Sequence, residues 1–308
     1  MSQQHELTVR LLLPRQAGLL AFWQRARNEA DQELLVRQPF KSGKAYPLGQ
    51  CLEIAQRVFG IVEGWLCSPS PLFSPALSPA EQQGLDALRE FFAAGGLLRL
   101  VWGALRGQYF QNAMQLGSLY VDVANDTVYR EKPPVEILPF QDCGLLAIRD
   151  FFHFADIARL YWGGELFPNH LFPHLAPWFP WISVVPGTGV QLEAGNDYMI
   201  ALTRQDGFRS AQCVLEQSSA PAALTAVIAP FFAETTLGFS ADGRAAALAG
   251  CETLRQTLPD DAQRDRVVRA FLEVNARLSR IVVRKDQPAG ALPADASLKV
   301  ISRPSLKN

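Results

Sequence analysis

The chemistry this 308-residue chain can offer rests on five cysteines, four histidines and a knot of amides and carboxylates around residues 108–127. Cys51 stands at the head of an apolar stretch with helical spacing. A thiol in the first turn of a helix lies near unpaired N–H groups and the positive end of the helix dipole. That position lowers its pKa and favours thiolate, the nucleophilic form. Gly49, two residues earlier, leaves room for a substrate. The competing reading is a plain core cysteine, because cysteine is among the most buried residue types and this one adjoins an apolar stripe.

A second group is densest in the protein. Gln108, Gln111, Asn112 and Gln115 precede the pair Gly117 and Ser118, and Asp122, Asn125, Asp126 and Thr127 follow it. A Gly-Ser pair between two strand-like runs signals a type II′ hairpin. A two-residue turn there sets Leu116 opposite Leu119 and Asp122 opposite Ala113. Asp122 then shares a face with Gln111 and Gln115, while Asn112 points the other way with Val121 and Val123. Asn and Asp at strand ends also serve ordinary turns, which is the other reading of Asp122, Asn125 and Asp126.

The histidines form a third group. His153, His170 and His174 lie close in sequence, and Asp156 follows His153 by three, a spacing that shares a helix face. Two histidines and a carboxylate make the ligand set of open iron or catalytic zinc sites. No HExxH or HxD signature accompanies them, and histidines among Phe and Pro also serve as packed, hydrogen-bonded residues. Arg99 and Arg106 flank the hairpin as candidate anion contacts or plain surface residues.

The elements that must position these groups can be read from periodicity. Residues 6–13 form a short strand or helix entry, and Pro14 opens a helix through about Leu35 with Leu19, Leu20, Phe22, Trp23 and Ala26 inward. Residues 50–66 form a helix whose stripe is Leu48, Leu52, Ala55, Phe59, Val62 and Leu66. After a Ser/Pro loop at 68–79, Ser78, Pro79 and Glu81 give a capped helix start, and Gly95 and Gly96 its stop. Strands follow at 97–104, 108–116 and 119–123, then an extended segment at 132–139. A buried helix is expected over 143–162. The stretch 163–189 is irregular and crowded with Phe, Trp and Pro. Strands are expected at 181–185, 197–203 and 208–216, and helices at 220–233, 241–256 and 260–283. On the last of these Val267, Val268, Phe271, Leu272, Leu278 and Ile281 lie inward.

This order predicts an α+β protein, with helices flanking a mostly antiparallel sheet and a helical C-terminal third. The expected divisions are a core over 1–140, a strand-plus-helix part over 141–285 packed on it, and a flexible tail over 286–308.

Composition narrows the classes. Hydrophobic residues make up 48% and charged residues 19%, so the chain folds around a core. A net charge of −1 carries no basic footprint for nucleic acid, and no apolar run approaches a membrane span. The N-terminal stretch does not read as a secretory signal. Five scattered cysteines without a CxxC pair suggest neither a disulfide framework nor a zinc knuckle, so a reducing, cytoplasmic setting is expected. The aromatic run 167–181 is either core or a surface for a ligand or protein partner.

The segment Gly49, Gln50, Cys51, Leu52, Glu53, Ile54, Ala55, an apolar helix and a later hairpin ending in Asp resemble the transglutaminase-like superfamily of papain-type cysteine enzymes. The resemblance covers about residues 40–130. It implies that Cys51 opens the core helix and that Asp122 or Asp126 is the aspartate of the strand pair. The family's histidine is not matched: chain order puts Asn112 or Gln111 in its place, and no histidine occurs between His5 and His153. Amides take no proton at neutral pH, so a base must come from His153, His170 or His174, or the machinery is degenerate.

The implied activity is thiol-based acyl or amide-group transfer or hydrolysis on a small-molecule or peptide substrate, without a cofactor. Cys51 would form a thioester, Asp122 would orient the base, and Gln111 or Asn112 would donate to the oxyanion. The alternatives are a non-catalytic binding or scaffold protein on the same fold, and a metal enzyme built on His153, Asp156, His170 and His174.

Overall fold

The structure is a computed structural model and describes residues 2–67 and 76–283. The expected loop at 68–79 lies largely outside the described residues, and the expected tail at 286–308 lies wholly outside them. The chain is α+β and divides after Ala147 into two compact units. The first unit outruns the expected boundary at 140 because residues 145–146 still belong to its sheet. No helix among the described residues is long and apolar enough to cross a membrane.

In the first unit, α1 (Gln3–Leu7) is capped by the Ser2 side chain and runs through a π-helical turn (Thr8–Leu12) and a 3-10 turn (Leu13–Arg15) into α2 (Gln16–Arg37). The segment before Pro14 is therefore helical throughout. A two-stranded hairpin, β1 (Phe40–Lys41) and β2 (Lys44–Ala45), leads to α3 (Cys51–Cys67), and α4 (Pro79–Ala93) follows. Ser78 and Glu81 complete a capping box at the start of α4, as the sequence predicts.

The inward face of α3 is Ile54, Ala55, Val58, Ile61, Val62 and Trp65. The expected stripe is rotated: Ala55 and Val62 belong to the core, but Leu52 faces out and Phe59 only borders it. The hydrophobic periodicity of this segment admits both faces, and the bulky Trp65 decides between them.

Helices α2 and α4 cross with almost no space between them. A Cβ at Gly84 would fall 2.3 Å from the Gly18 carbonyl oxygen and 2.7 Å from Phe22 Cβ, so only glycine permits this crossing. The closeness lets Phe22, Trp23 and Leu88 fill one core without exposure. Each such side chain is worth roughly 1.5–3 kcal/mol of burial.

The sheet of this unit has the order β6-β5-β4-β3-β7, antiparallel throughout. Its strands are β3 (Leu98–Leu105), β4 (Tyr109–Leu116), β5 (Leu119–Asp122), β6 (Glu136–Pro139) and β7 (Leu145–Leu146). Leu116 opposes Leu119, so Gly117 and Ser118 form the expected two-residue turn, with Gly117 at φ 58°. Met114, Leu116, Leu119, Val121 and Val123 point into the core shared with α2, α3 and α4.

The second unit begins with α5 (Phe151–Trp162), shorter than the expected 143–162 helix. Asp150 caps it by accepting from the His153 backbone N–H at 2.7 Å. A three-stranded antiparallel sheet follows, β8 (Glu165–Pro168), β9 (Trp181–Val185) and β10 (Gly189–Leu192), in the order β10-β9-β8. Residues 197–203 and 208–216, expected as strands, lie instead in α6 (Asp197–Gln205) and α7 (Arg209–Leu215). The reason at α6 is local: Asn196 accepts from the Met199 N–H at 2.9 Å and starts a helix where apolar alternation alone suggests a strand.

The helical last third holds, as α8 (Ala222–Ile228), α9 (Arg244–Thr257) and α10 (Asp261–Leu278). On α10 the buried residues are Val274 and Leu278, whereas Leu272 faces solvent, contrary to expectation. Asn275 of α10 accepts from Leu192 N–H at 2.7 Å and donates to Leu192 O at 3.0 Å, pinning α10 to β10.

The run 167–181 is core. Leu171, Phe172, Leu175, Trp178, Phe179 and Trp181 are all buried, and Phe172 meets Phe232 at 4.8 Å between ring centres. Asn169 fixes its path, donating to Phe179 O and accepting from Phe172 N–H. Of the two readings of this run, core or a surface for a ligand or partner, the burial of these six side chains is that of core.

Candidate functional site

The start of α3 is held in place from behind. Gly49 N–H donates to Thr127 O at 2.9 Å, and Gln50, fully buried, donates through Nε2 to Gln38 O at 2.9 Å. These bonds set Cys51 against β4. There the Asn112 side-chain amide donates to the Cys51 sulfur at 3.4 Å, the hydrogen bond this thiol makes among the described residues. Lys41 pairs with Glu53 at 2.6 Å in the same first turn of α3.

The expected lowering of the Cys51 pKa does not occur. Burial pushes this thiol up, and Asn112 and the more distant Lys41 only partly offset it, while Asp122 adds to the rise. Desolvation disfavours the charged form of a thiol.

Asp122 lies on the other side of the sheet. Val121 of β5 faces the helices, so its neighbours Tyr120 and Asp122 face away, as does Gln111 next to Asn112. Gln111 Nε2 donates to Asp122 Oδ2 at 2.7 Å, the Tyr120 hydroxyl to the same oxygen at 2.8 Å, and the Ala124 N–H to Oδ1 at 2.8 Å. Burial raises the Asp122 carboxyl to about 6, against the pull of these three donors, and it also raises the Tyr120 hydroxyl.

The Gln111–Asp122 pairing is the one the hairpin register predicts. The same register separates Cys51 and Asn112 from Asp122 and Gln111, so the four expected site residues form two pairs on opposite faces. Asp122 does not orient a group beside the thiol. Each pair keeps an orphan: Gln50 Oε1 next to Cys51 and Gln111 Oε1 beside Asp122 are buried and have no hydrogen-bond partner among the described residues.

Asp126, the alternative aspartate, is taken by Arg27. The guanidinium of this α2 residue is 2% exposed and donates to both Asp126 oxygens, at 2.8 and 3.1 Å. It also donates to Val123 O at 2.7 Å and to Asp31 at 2.5 Å, and the Tyr46 hydroxyl donates to the same Asp31 oxygen. Asn125 donates to Pro133 O and Thr127 to Ala124 O. The VANDT segment is thus a clamp that joins α2, the loop before α3 and the end of β5. Sequence reasoning missed Arg27, although its place one turn after Trp23 and one before Ala30 on the inward stripe marks it as a cation needing a buried partner.

The flanking arginines are engaged as well. Arg99 donates to Gln115 Oε1, and Arg106 pairs with Glu136 at 2.9 Å.

In the second unit, the expected metal ligands do not converge. His153 accepts from the Arg149 N–H through Nδ1, exposed Asp156 pairs with Arg159, and His170 spends both ring nitrogens on Ser219 Oγ and Leu215 O, each at 2.9 Å. Among the described residues, no three His, Cys, Asp or Glu side chains are placed to hold a metal ion.

Comparison with family models, with curated proteins and with solved structures found no match to this chain.

Proposed function

We propose that the first unit is a non-catalytic binding or scaffold element, in which Cys51 is a structural thiol. One observation carries the reading: Cys51 faces an amide, Asn112, while the carboxylate that would complete a thiol enzyme lies across the sheet. An amide donates to sulfur but takes no proton from it, so Asn112 cannot serve as the base of this thiol. Burial adds to this by pushing the thiol up from its ordinary range. The polar groups that a catalyst would spend on substrate are spent here on the fold, in the Arg27 clamp and the Asp122 network.

Thiol acyl transfer is the competing reading. It draws on one observation, that Asn112, one of the two residues which chain order sets in the place of the resembled family's base, lies at the sulfur. Limiting iodoacetamide across pH 5 to 9, with adducts mapped by mass spectrometry, separates the two. Cys67 and Cys213 are exposed and serve as internal standards. The scaffold reading expects both to react before Cys51, with Cys51 gaining reactivity only above the range of a free thiol. Selective labelling of Cys51 well below pH 8 would refute it and restore the thiol enzyme.

A further inference from the structure

The second unit contains a cavity of about 380 Å³ that neither the cysteine nor the clamp uses. Its walls are largely apolar, with Leu171, Ala222, Ala226 and Ala229, and its polar end carries His170, Ser219 and Arg244. We propose that Ser219 and His170 form a nucleophile–base pair that takes small carboxylic esters in this cavity. The inference goes beyond the scaffold reading, since it concerns the other unit and other residues.

The hydrogen bonds fix the tautomer. His170 Nε2 lies 2.9 Å from Leu215 O, a carbonyl that can only accept, so the ring proton is on Nε2. Nδ1 is then bare and accepts from the Ser219 hydroxyl at 2.9 Å. The carbonyl does for this histidine what a carboxylate does in a triad: it holds ring and tautomer in place. His170 is 4% exposed and its backbone N–H is tied to Pro168 O, so the ring is rigid, whereas Ser219 lies exposed at the cavity. Burial and the neighbouring Arg244 lower the imidazole pKa, which keeps the base form available at neutral pH.

A donor for the developing oxyanion is adjacent. Helix α9 begins against the pair: a Cβ on Gly243 would meet His170 O at 2.2 Å. No side chain caps this 14-residue helix, so its first-turn N–H groups are without a helical partner beside the cavity. The charged groups facing the site are Arg244, whose guanidinium is anchored to Leu215 O and Glu216 O, and Asp242 at the rim.

The step balances without a further reactant. Ser219 Oγ bonds to the ester carbonyl carbon as its proton passes to His170 Nδ1. The bond to the leaving alkoxide then breaks, and the alcohol departs with that proton. Water attacks the acyl-serine, gives a proton to Nδ1, and the acid leaves as the proton returns to Oγ. The alanine-rich wall suits a short acyl chain.

The test treats the full chain with a fluorophosphonate probe, maps the adduct by mass spectrometry, and follows p-nitrophenyl acetate hydrolysis. One adduct is expected, on Ser219, absent in S219A. Hydrolysis should fall about 100-fold or more in S219A, the usual size of a nucleophile or general-base effect. Labelling should rise with pH at a midpoint below that of a free imidazole. Ser219 is exposed, so S219A keeps the fold, and S219C supplies an independent reading: His170 should make the new thiol react with iodoacetamide faster than exposed Cys213 at pH 6.5. The proposal is overturned if Ser219 stays unlabelled, if S219A hydrolyses the ester like the parent, or if S219C reacts no faster than Cys213.

Discussion

Replacing Arg27 with methionine tests the clamp directly. The methionine keeps an apolar stem of similar reach, so packing beside Trp23 survives and the charge is what disappears. Four hydrogen bonds go with it. Asp31 fares best, because its side chain is 31% exposed and keeps the Tyr46 hydroxyl. Asp126 fares worst, with a side chain 10% exposed and no cation left, and Val123 O loses its donor. Breaking a buried pair from one side costs about 3–5 kcal/mol, because the remaining charge is stranded out of water. The substitution should therefore remove about 4 kcal/mol from the first unit, a large share of an ordinary domain's stability. Urea unfolding followed by the fluorescence of buried Trp23, one helical turn away, reads the loss. The double variant R27M/D126L removes both charges and should recover about 2 kcal/mol or more relative to R27M alone. Because the pair is buried, 0.5 M salt should change little. A loss below about 1 kcal/mol in R27M, or a double variant no better than the single, would refute the reasoning.

Two further outcomes follow from the same unit. Asp122 carries a folded pKa of about 6 against 3.8 for a free aspartate, so the native state binds its proton more tightly than the unfolded state does. Stability from this group is highest below pH 3.8 and falls by about 3 kcal/mol as pH rises to 6, so the gap between the parent and D122N should be wider at pH 4 than at pH 7. An unchanged gap in urea midpoints across that range removes Asp122 as the source. Gly84→Ala should gain about 1 kcal/mol on helix propensity alone, yet lose about 1–3 kcal/mol net, because the added methyl meets the Gly18 carbonyl and Phe22. A rise in melting temperature would show that α2 and α4 separate freely.

Much of the frame was legible in the sequence because local chemistry wrote it. Ser78 and Glu81 announced α4, Gly117 and Ser118 fixed the hairpin register, and that register alone paired Gln111 with Asp122. Residues 197–203 and 208–216 were not legible as helices, since short apolar runs fit both periods and an asparagine cap at 196 decided the first. The start of α5 was misplaced because apolar residues on both sides of Asp150 concealed its cap. At the candidate site, chain order left both Asn112 and Gln111 open for the place of the resembled family's histidine, and the burial that pushes the Cys51 thiol up has no sequence signature. Ser219 escaped notice entirely. A serine between two helices has no periodic signature, and only the turn that brings His170 to it gives it meaning.

The clamp also sets a timetable for synthesis. Arg27 emerges from the ribosome 99 residues before Asp126. Asp31 is made in the next turn of the same helix, but at roughly 5–20 residues per second Asp126 follows only on the order of 5–20 s later. During that interval the guanidinium has Asp31 but lacks the two bonds to Asp126 and the one to Val123 O that it makes in the folded unit. The clamp can therefore be completed only after the VANDT segment is made, and a chain truncated upstream of it lacks three of the four hydrogen bonds that Arg27 makes.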